Sequence, residues 1–165
     1  MQLISHSAEE TKRLGAALAA CVQAGDVVVL NGDLGAGKTQ FVQGVAEALG
    51  VKAAVTSPTF NILLTYDCKP STDALFPISS LNHFDLYRLD SAEDLDDIGY
   101  WEVLEGEGVT FIEWGDKFPE EMPDDYLEIA FTTDPDGTRH IKALPYGARA
   151  EALRSCWTQG IGAGA

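Results

Sequence analysis

VVVLNGDLGAGKTQFVQGVAEALG, running from Val27 to Gly50, sets the architecture of this 165-residue chain. Val27 to Leu30 form a short apolar run of the kind a fully buried parallel strand shows. The run breaks at Asn31 into Gly32-Asp33-Leu34-Gly35-Ala36-Gly37-Lys38-Thr39, which satisfies G-x-x-x-x-G-K-[ST] at every fixed position. A helical pattern follows, with Phe41, Val42, Val45, Ala46 and Leu49 on one face and Gly50 as its stop. Strand, glycine-rich loop and helix in this order make a phosphate-binding loop: the glycines let backbone N–H groups converge on phosphate oxygens at the helix N-terminus. Lys38 is placed to reach the β- and γ-phosphates, and the Thr39 hydroxyl to ligate Mg²⁺. A chance glycine-rich turn carrying Lys-Thr is the alternative, and the flanking elements argue against it. The pattern therefore predicts a nucleoside triphosphate site.

Working outward, Ser7 and Glu10 form a capping-box signature ahead of an amphipathic helix over residues 7–24, with Thr11, Leu14, Leu18, Cys21 and Val22 on one face. Simple packing onto a sheet is enough to explain that helix from pattern alone. Downstream of the loop, Ser57-Pro58-Thr59 is a polar turn before a strand at residues 61–66. Its hydroxyls are placed either to sense a γ-phosphate, as in nucleotide switches, or only to bond locally. Residues 67–77 read as a loop. Residues 78–86 read as a strand with Leu81, His83 and Asp85 on one face, and Arg88 just beyond it is free to make a structural ion pair. An acidic helical segment over 91–105 breaks at Gly99. Residues 108–114 form a strand running into Glu113, the pattern of a Walker B acid that meets Mg²⁺; Asp85 competes for that role. Residues 126–132 and 138–143 read as strands joined by Asp134-Pro135-Asp136-Gly137, followed by a short helix to about residue 157 and a tail, from Gly160, that reads as frayed.

Composition narrows the classes. The formal net charge is −15, and residues 90–128 hold fifteen acids against one base, Lys117. Such a surface repels a phosphate backbone, so nucleic acid would be reached only through a protein partner, unless the acid excess serves solubility alone. No apolar run approaches the length of a membrane span, and the first ten residues lack the basic and apolar regions of a secretion signal. Three cysteines with no C-x-x-C pair suggest reduced thiols and a cytoplasmic protein.

The set Gly32–Thr39, Ser57-Pro58-Thr59-Phe60, His83-Phe84-Asp85-Leu86-Tyr87-Arg88 and Ile112-Glu113-Trp114 resembles the TsaE (YjeE) family over roughly residues 1–130. That family is the small ATPase of the bacterial system that makes threonylcarbamoyladenosine in tRNA. The resemblance implies a single P-loop NTPase-type α/β domain of three layers, with a mostly parallel sheet and antiparallel additions. It implies ATP and Mg²⁺ as cofactors, TsaD and TsaB as partners, and tRNA only through that complex. It also places Glu10-Thr11 beside the adenosine, phosphates in the loop with Asp33, Leu34, Gly35, Ala36, Gly37, Lys38, Thr39 and Gln40, and Trp114 near the nucleotide. Glu113 joins Thr39 at Mg²⁺; Lys38, Asp85 and Glu113 are the catalytic set; Ser57 and Thr59 match the switch-like segment. Gln40 and Asn61 depart from the commonest family pattern without removing a phosphate or metal ligand. Two other classes stay open on the residues: a small-molecule kinase with a P-loop, disfavoured by only five unclustered arginines, and a nucleotide-dependent binding module that does not turn over. Guanine recognition is disfavoured because N-K-x-D is absent.

Overall fold

The computed structural model describes residues 1–69 and 77–163. Its centre is β2 (Val27–Asn31), whose four leading residues are all buried because parallel neighbours flank both its edges and side chains cover both its faces. One partner is β5 (Val109–Glu113) and the other is β6 (Tyr126–Thr133). Beyond β5 lie β4 (Ser80–Asp85), parallel to it, and β3 (Leu63–Asp67), antiparallel. Beyond β6 lie β7 (Arg139–Tyr146) and then β1 (Gln2–Ser5), both antiparallel. The order is β1-β7-β6-β2-β5-β4-β3, a parallel centre with antiparallel additions on each side, as the resemblance implies.

Alternation along each strand divides the interior into two cores. Val28, Leu30, Leu81, Phe111 and Ile129 face α1 (Ala8–Ala19), α2 (Lys38–Ala48) and α5 (Ala148–Ala163). Val27, Val29, Phe84 and Ile112 face α3 (Glu93–Asp97) and α4 (Tyr100–Leu104). The layers are therefore helix, sheet, helix. Gly99, at φ 69°, makes the break expected between the two acidic helices. Ser7 caps α1 by accepting from the Glu10 N–H at 3.1 Å, and the Glu10 carboxylate accepts from the His6 N–H at 2.6 Å.

α1 and α2 make the most extensive helix pairing. Gly15 of α1 lies against the Phe41 backbone and Gly44 of α2 against the Lys12 backbone, leaving no room for a Cβ at either point. The helix that carries the loop is thereby held at a fixed depth.

Three expectations change. The tail from Gly160 does not fray within the described residues: α5 runs to Ala163, because Leu153 and fully buried Trp157 anchor it under the sheet. The Trp157 ring packs edge-on to Phe41 at 5.6 Å, and its Nε1–H donates to the Leu14 carbonyl at 2.9 Å. Second, the cysteines are not all reduced thiols. Cys21, just past α1, is disulfide-bonded to Cys156 of α5, leaving Cys68 free and buried. Third, β1 lies where no strand was expected. The loop expected over 67–77 falls mostly on residues 70–76, outside the described residues. Among the described residues no helix is long and apolar enough to cross a membrane.

Candidate functional site

The C-terminal ends of β2, β5 and β4 stop at one level: Leu30 pairs with Glu113, and Asp85 pairs with Glu113. Ligands of open α/β sheets bind outside such strand ends. Here the loop after β2 turns over that edge and enters α2, with Gly35 at φ 78° and Gly37 at φ 108°. These left-handed positions are open to glycine at no steric cost and aim successive N–H groups into one concavity.

A cleft of about 290 Å³ opens there, lined by Leu34 to Gln40, Ser57, Thr59, Asp85, Tyr87, Glu113 and Trp114. Nearly every residue expected at the site therefore meets in one place, from four separate parts of the chain. Asp33 is exposed beside the cleft rather than in its lining. Thr11 is fully buried, its hydroxyl bonded to Ser5 Oγ at 2.8 Å and to the Ser7 carbonyl, and its methyl faces Gly37. It backs the loop from behind.

Lys38 Nζ donates to the carbonyls of Gly32 and, at 3.2 Å, Asp33, and stands 4.8 Å from the Trp114 ring centre. The ammonium thus straps the loop from within. Trp114 holds a left-handed backbone at φ 63°, unusual for a bulky residue, and this turns its ring back towards Lys38 directly after Glu113.

Asp85 joins the turn at Ser57-Pro58-Thr59 to the sheet. Its carboxylate accepts from Thr59 Oγ1 at 3.2 Å and from the Tyr87 N–H at 2.9 Å, and Ser57 and Thr59 share a hydrogen bond of 2.9 Å. Glu113 is 3% exposed, and its Oε1 has no hydrogen-bond partner among the described residues.

This buried carboxylate in the cleft wall is the observation against which a cation can be tested. A buried, unpaired carboxylate costs several kcal/mol unless something positive meets it. No group of three His, Cys, Asp or Glu side chains gathers among the described residues, so no all-protein cage is built. Mg²⁺ in triphosphate sites needs none: it takes one or two protein oxygens and completes its shell with phosphate and water. Thr39 and Glu113, both in the cleft lining, fit that donor set.

The sequence profile of the family described as "Threonylcarbamoyl adenosine biosynthesis protein TsaE" matches residues 5–141. The chain belongs to the TsaE family. Among curated TsaE relatives, the tRNA threonylcarbamoyladenosine biosynthesis protein TsaE of Treponema pallidum is 41% identical over 141 residues, covering 86% of this chain and 98% of the relative. The TsaE of Bacillus subtilis is 39% identical over 145 residues, covering 88% and 85%. The crystal structure of Bacillus subtilis YdiB superposes with a TM-score of 0.74 at 34% identity, over 96% of this chain and 94% of that one. Helix α5 and the end of β7 lie past the segment that the TsaE profile matches.

Two features of this TsaE chain have no counterpart in the motif reading. Arg139, the first residue of β7, reaches Gly37: its Nε lies 3.0 Å from where a Cβ on that glycine would stand, and is buried with no partner among the described residues. No local spacing announces it, because it is the strand register that delivers it to the loop. Arg88, free by sequence to make an ion pair, is instead exposed and stacked on Phe60 at 4.3 Å, outside the cleft lining.

Proposed function

We propose that this chain binds and hydrolyses ATP with Mg²⁺ in support of the complex that forms N6-threonylcarbamoyladenosine in tRNA, acting with homologues of TsaD and TsaB in the cytoplasm. Family membership supports the pathway. The single observation that carries the ATPase reading is the cleft itself, where a complete phosphate-binding loop faces the buried carboxylates of Glu113 and Asp85.

The division of labour follows from what each group touches. Backbone N–H groups of Gly35 to Thr39 bind the phosphates, and the N-terminus of α2 adds its partial positive charge. Lys38 exchanges its two carbonyl partners for phosphate oxygens, a swap that keeps the ammonium's hydrogen bonds satisfied. Thr39 and Glu113 would hold Mg²⁺, which when bound would supply neutralisation of the phosphate charge. Asp85 retains free lone pairs after its two bonds and orients water. Through Thr59 it also ties that water site to the Ser57–Thr59 turn. Among the described residues no arginine lines the cleft, Arg139 lying behind Gly37 and Arg88 on Phe60, so the finger to the γ-phosphate is left to a partner. Fingers provided in trans are worth about 10³–10⁵ in rate, so turnover by the isolated chain is expected to be slow and to rise with the partners.

ADP release is the test, measured with and without Mg²⁺ and with and without TsaD and TsaB. Mg²⁺-dependent turnover that rises with the partners and is abolished in a folded Lys38→Ala variant supports the reading. Wild-type turnover in Lys38→Ala refutes it. Capture of TsaD and TsaB that depends on whether ATP or ADP is bound tests the partnership separately.

A further inference from the structure

His83 occupies a position that the nucleotide reading leaves unused. It lies on β4, on the sheet face that also carries Leu81 and Asp85, and is fully buried. Neither ring nitrogen has a hydrogen-bond partner among the described residues. An imidazole carries at least one N–H in any protonation state, so a buried donor here is without an acceptor. Leaving such a group unpaired carries its full desolvation penalty, which makes the position expensive unless a partner is close. One is. His83 Nε2 faces Glu113 Oε1 at 3.7 Å, and that oxygen is itself buried and without a partner.

The sheet explains the pairing. His83 stands opposite Phe111 and Asp85 opposite Glu113 in the parallel ladder, so His83 and Glu113 are diagonal neighbours on adjacent strands. Both backbones are fixed by that ladder, and only side-chain torsions separate 3.7 Å from a bond of about 2.9 Å. A complementary donor and acceptor, each orphaned and each walled off from water, have no cheaper partner than one another.

We propose that His83 is a positioning residue for Glu113: its Nε2–H donates to Oε1 and orients the carboxylate so that the second oxygen serves the metal position beside Thr39. This rests on the reading of Glu113 as the metal-holding acid. Carboxylates that ligate metals are commonly held by such outer bonds, and loss of one typically costs about 10–100-fold in metal affinity.

Mn²⁺ binding to the ADP-loaded protein, followed by electron paramagnetic resonance of the free ion, reads the effect without relying on activity. ADP affinity in chelator provides the control. His83→Leu is expected to weaken Mn²⁺ binding about 10–100-fold while leaving ADP affinity in chelator unchanged. His83→Gln, whose amide nitrogen takes the place of Nε2, is expected to stay close to the parent. In a Glu113→Gln background, His83→Leu should add nothing further. Unchanged Mn²⁺ affinity in His83→Leu, or a parallel fall in ADP affinity without metal, overturns the proposal. If Glu113→Gln itself leaves Mn²⁺ binding intact, the metal assignment of Glu113 is what fails. Should His83→Leu not fold, the imidazole ¹⁵N spectrum of the parent decides: a proton on Nε2 supports the bond, and a bare Nε2 overturns it.

Discussion

Replacing Gly44 by alanine tests whether the depth of the loop helix is set by backbone contact. A Cβ at Gly44 would stand 2.7 Å from the Lys12 carbonyl carbon and 2.8 Å from its Cα, and closer still to its oxygen. These are main-chain atoms of α1, so no side chain can swing aside. Ordinary contact begins near 3.4 Å; clearing the carbonyl carbon alone takes about 0.7 Å of helix separation, and clearing its oxygen takes more. A gap of about 0.5–1 Å forfeits a quarter to a half of the dispersion energy between facing atoms. Overpacking of this kind costs about 1–3 kcal/mol, and a backbone clash belongs at the upper end. Alanine's better helix propensity returns about 1 kcal/mol. The expected net loss is about 2 kcal/mol, or roughly 4–8 °C in Tm for a chain of this size. Urea unfolding with an unchanged m-value measures it. Gly160→Ala supplies the control of opposite sign: it lies in α5 with nothing within 4 Å of the new Cβ, and should gain somewhat under about 1 kcal/mol. A Gly44→Ala protein as stable as the parent, or more so, would show that α1 and α2 part freely and would refute the argument.

Other expectations concern the site and the crosslink. Glu113→Ala should raise the Mg²⁺ concentration needed for turnover, whereas Asp85→Ala should lower turnover at saturating Mg²⁺; the opposite order in a metal titration would exchange their roles. Reduction of Cys21–Cys156 should lower stability by about 2–4 kcal/mol while leaving a folded protein, read by urea melts with and without dithiothreitol. Stability should also fall at alkaline pH. Burial, with Asp67 alongside, pushes the Cys68 thiol up from 9.0 to about 11, and burial beside Glu121 raises the Tyr100 phenol. The unfolded chain therefore loses the thiol proton near pH 9 while the fold keeps it to about 11, so stability is intact below 9 and declines through that window. Urea midpoints from pH 8 upward check the slope, and Cys68→Ser should reduce it.

Local chemistry was legible where a motif fixes its own surroundings. Val27 to Leu30 reads as a buried strand because the whole run is apolar, and Gly32 to Thr39 declares its loop through residues that have few other reasons to stand together. Gly99 marks its break through a left-handed turn that most residues resist. Features made by long-range register were not legible. β1 is four residues at a sheet edge, recognisable only from its pairing with β7. Arg139 reaches Gly37 because that same pairing sets where β7 begins. The disulfide joins residues 135 positions apart, a distance over which no spacing rule operates. The end of α5 reads as frayed from its glycines, yet Trp157 and Leu153 pin the helix, and tertiary packing overrides weak propensity. His83 announced itself as a neighbour of Asp85, whereas its orphaned nitrogens and its approach to Glu113 emerge only in three dimensions.

The bond between Cys21 and Cys156 makes most of this chain a covalent ring, with the loop, the metal acid and the acidic helices all on its circumference. A single backbone cut anywhere on that ring opens it without dividing the molecule. Clipping the β6–β7 turn at Asp134–Gly137 would leave one piece on a non-reducing gel and two on a reducing one. The strands on either side of such a cut keep their ladder partners in the sheet, and their ends stay tethered at high local concentration. What the crosslink protects, therefore, is the union of the two fragments after damage.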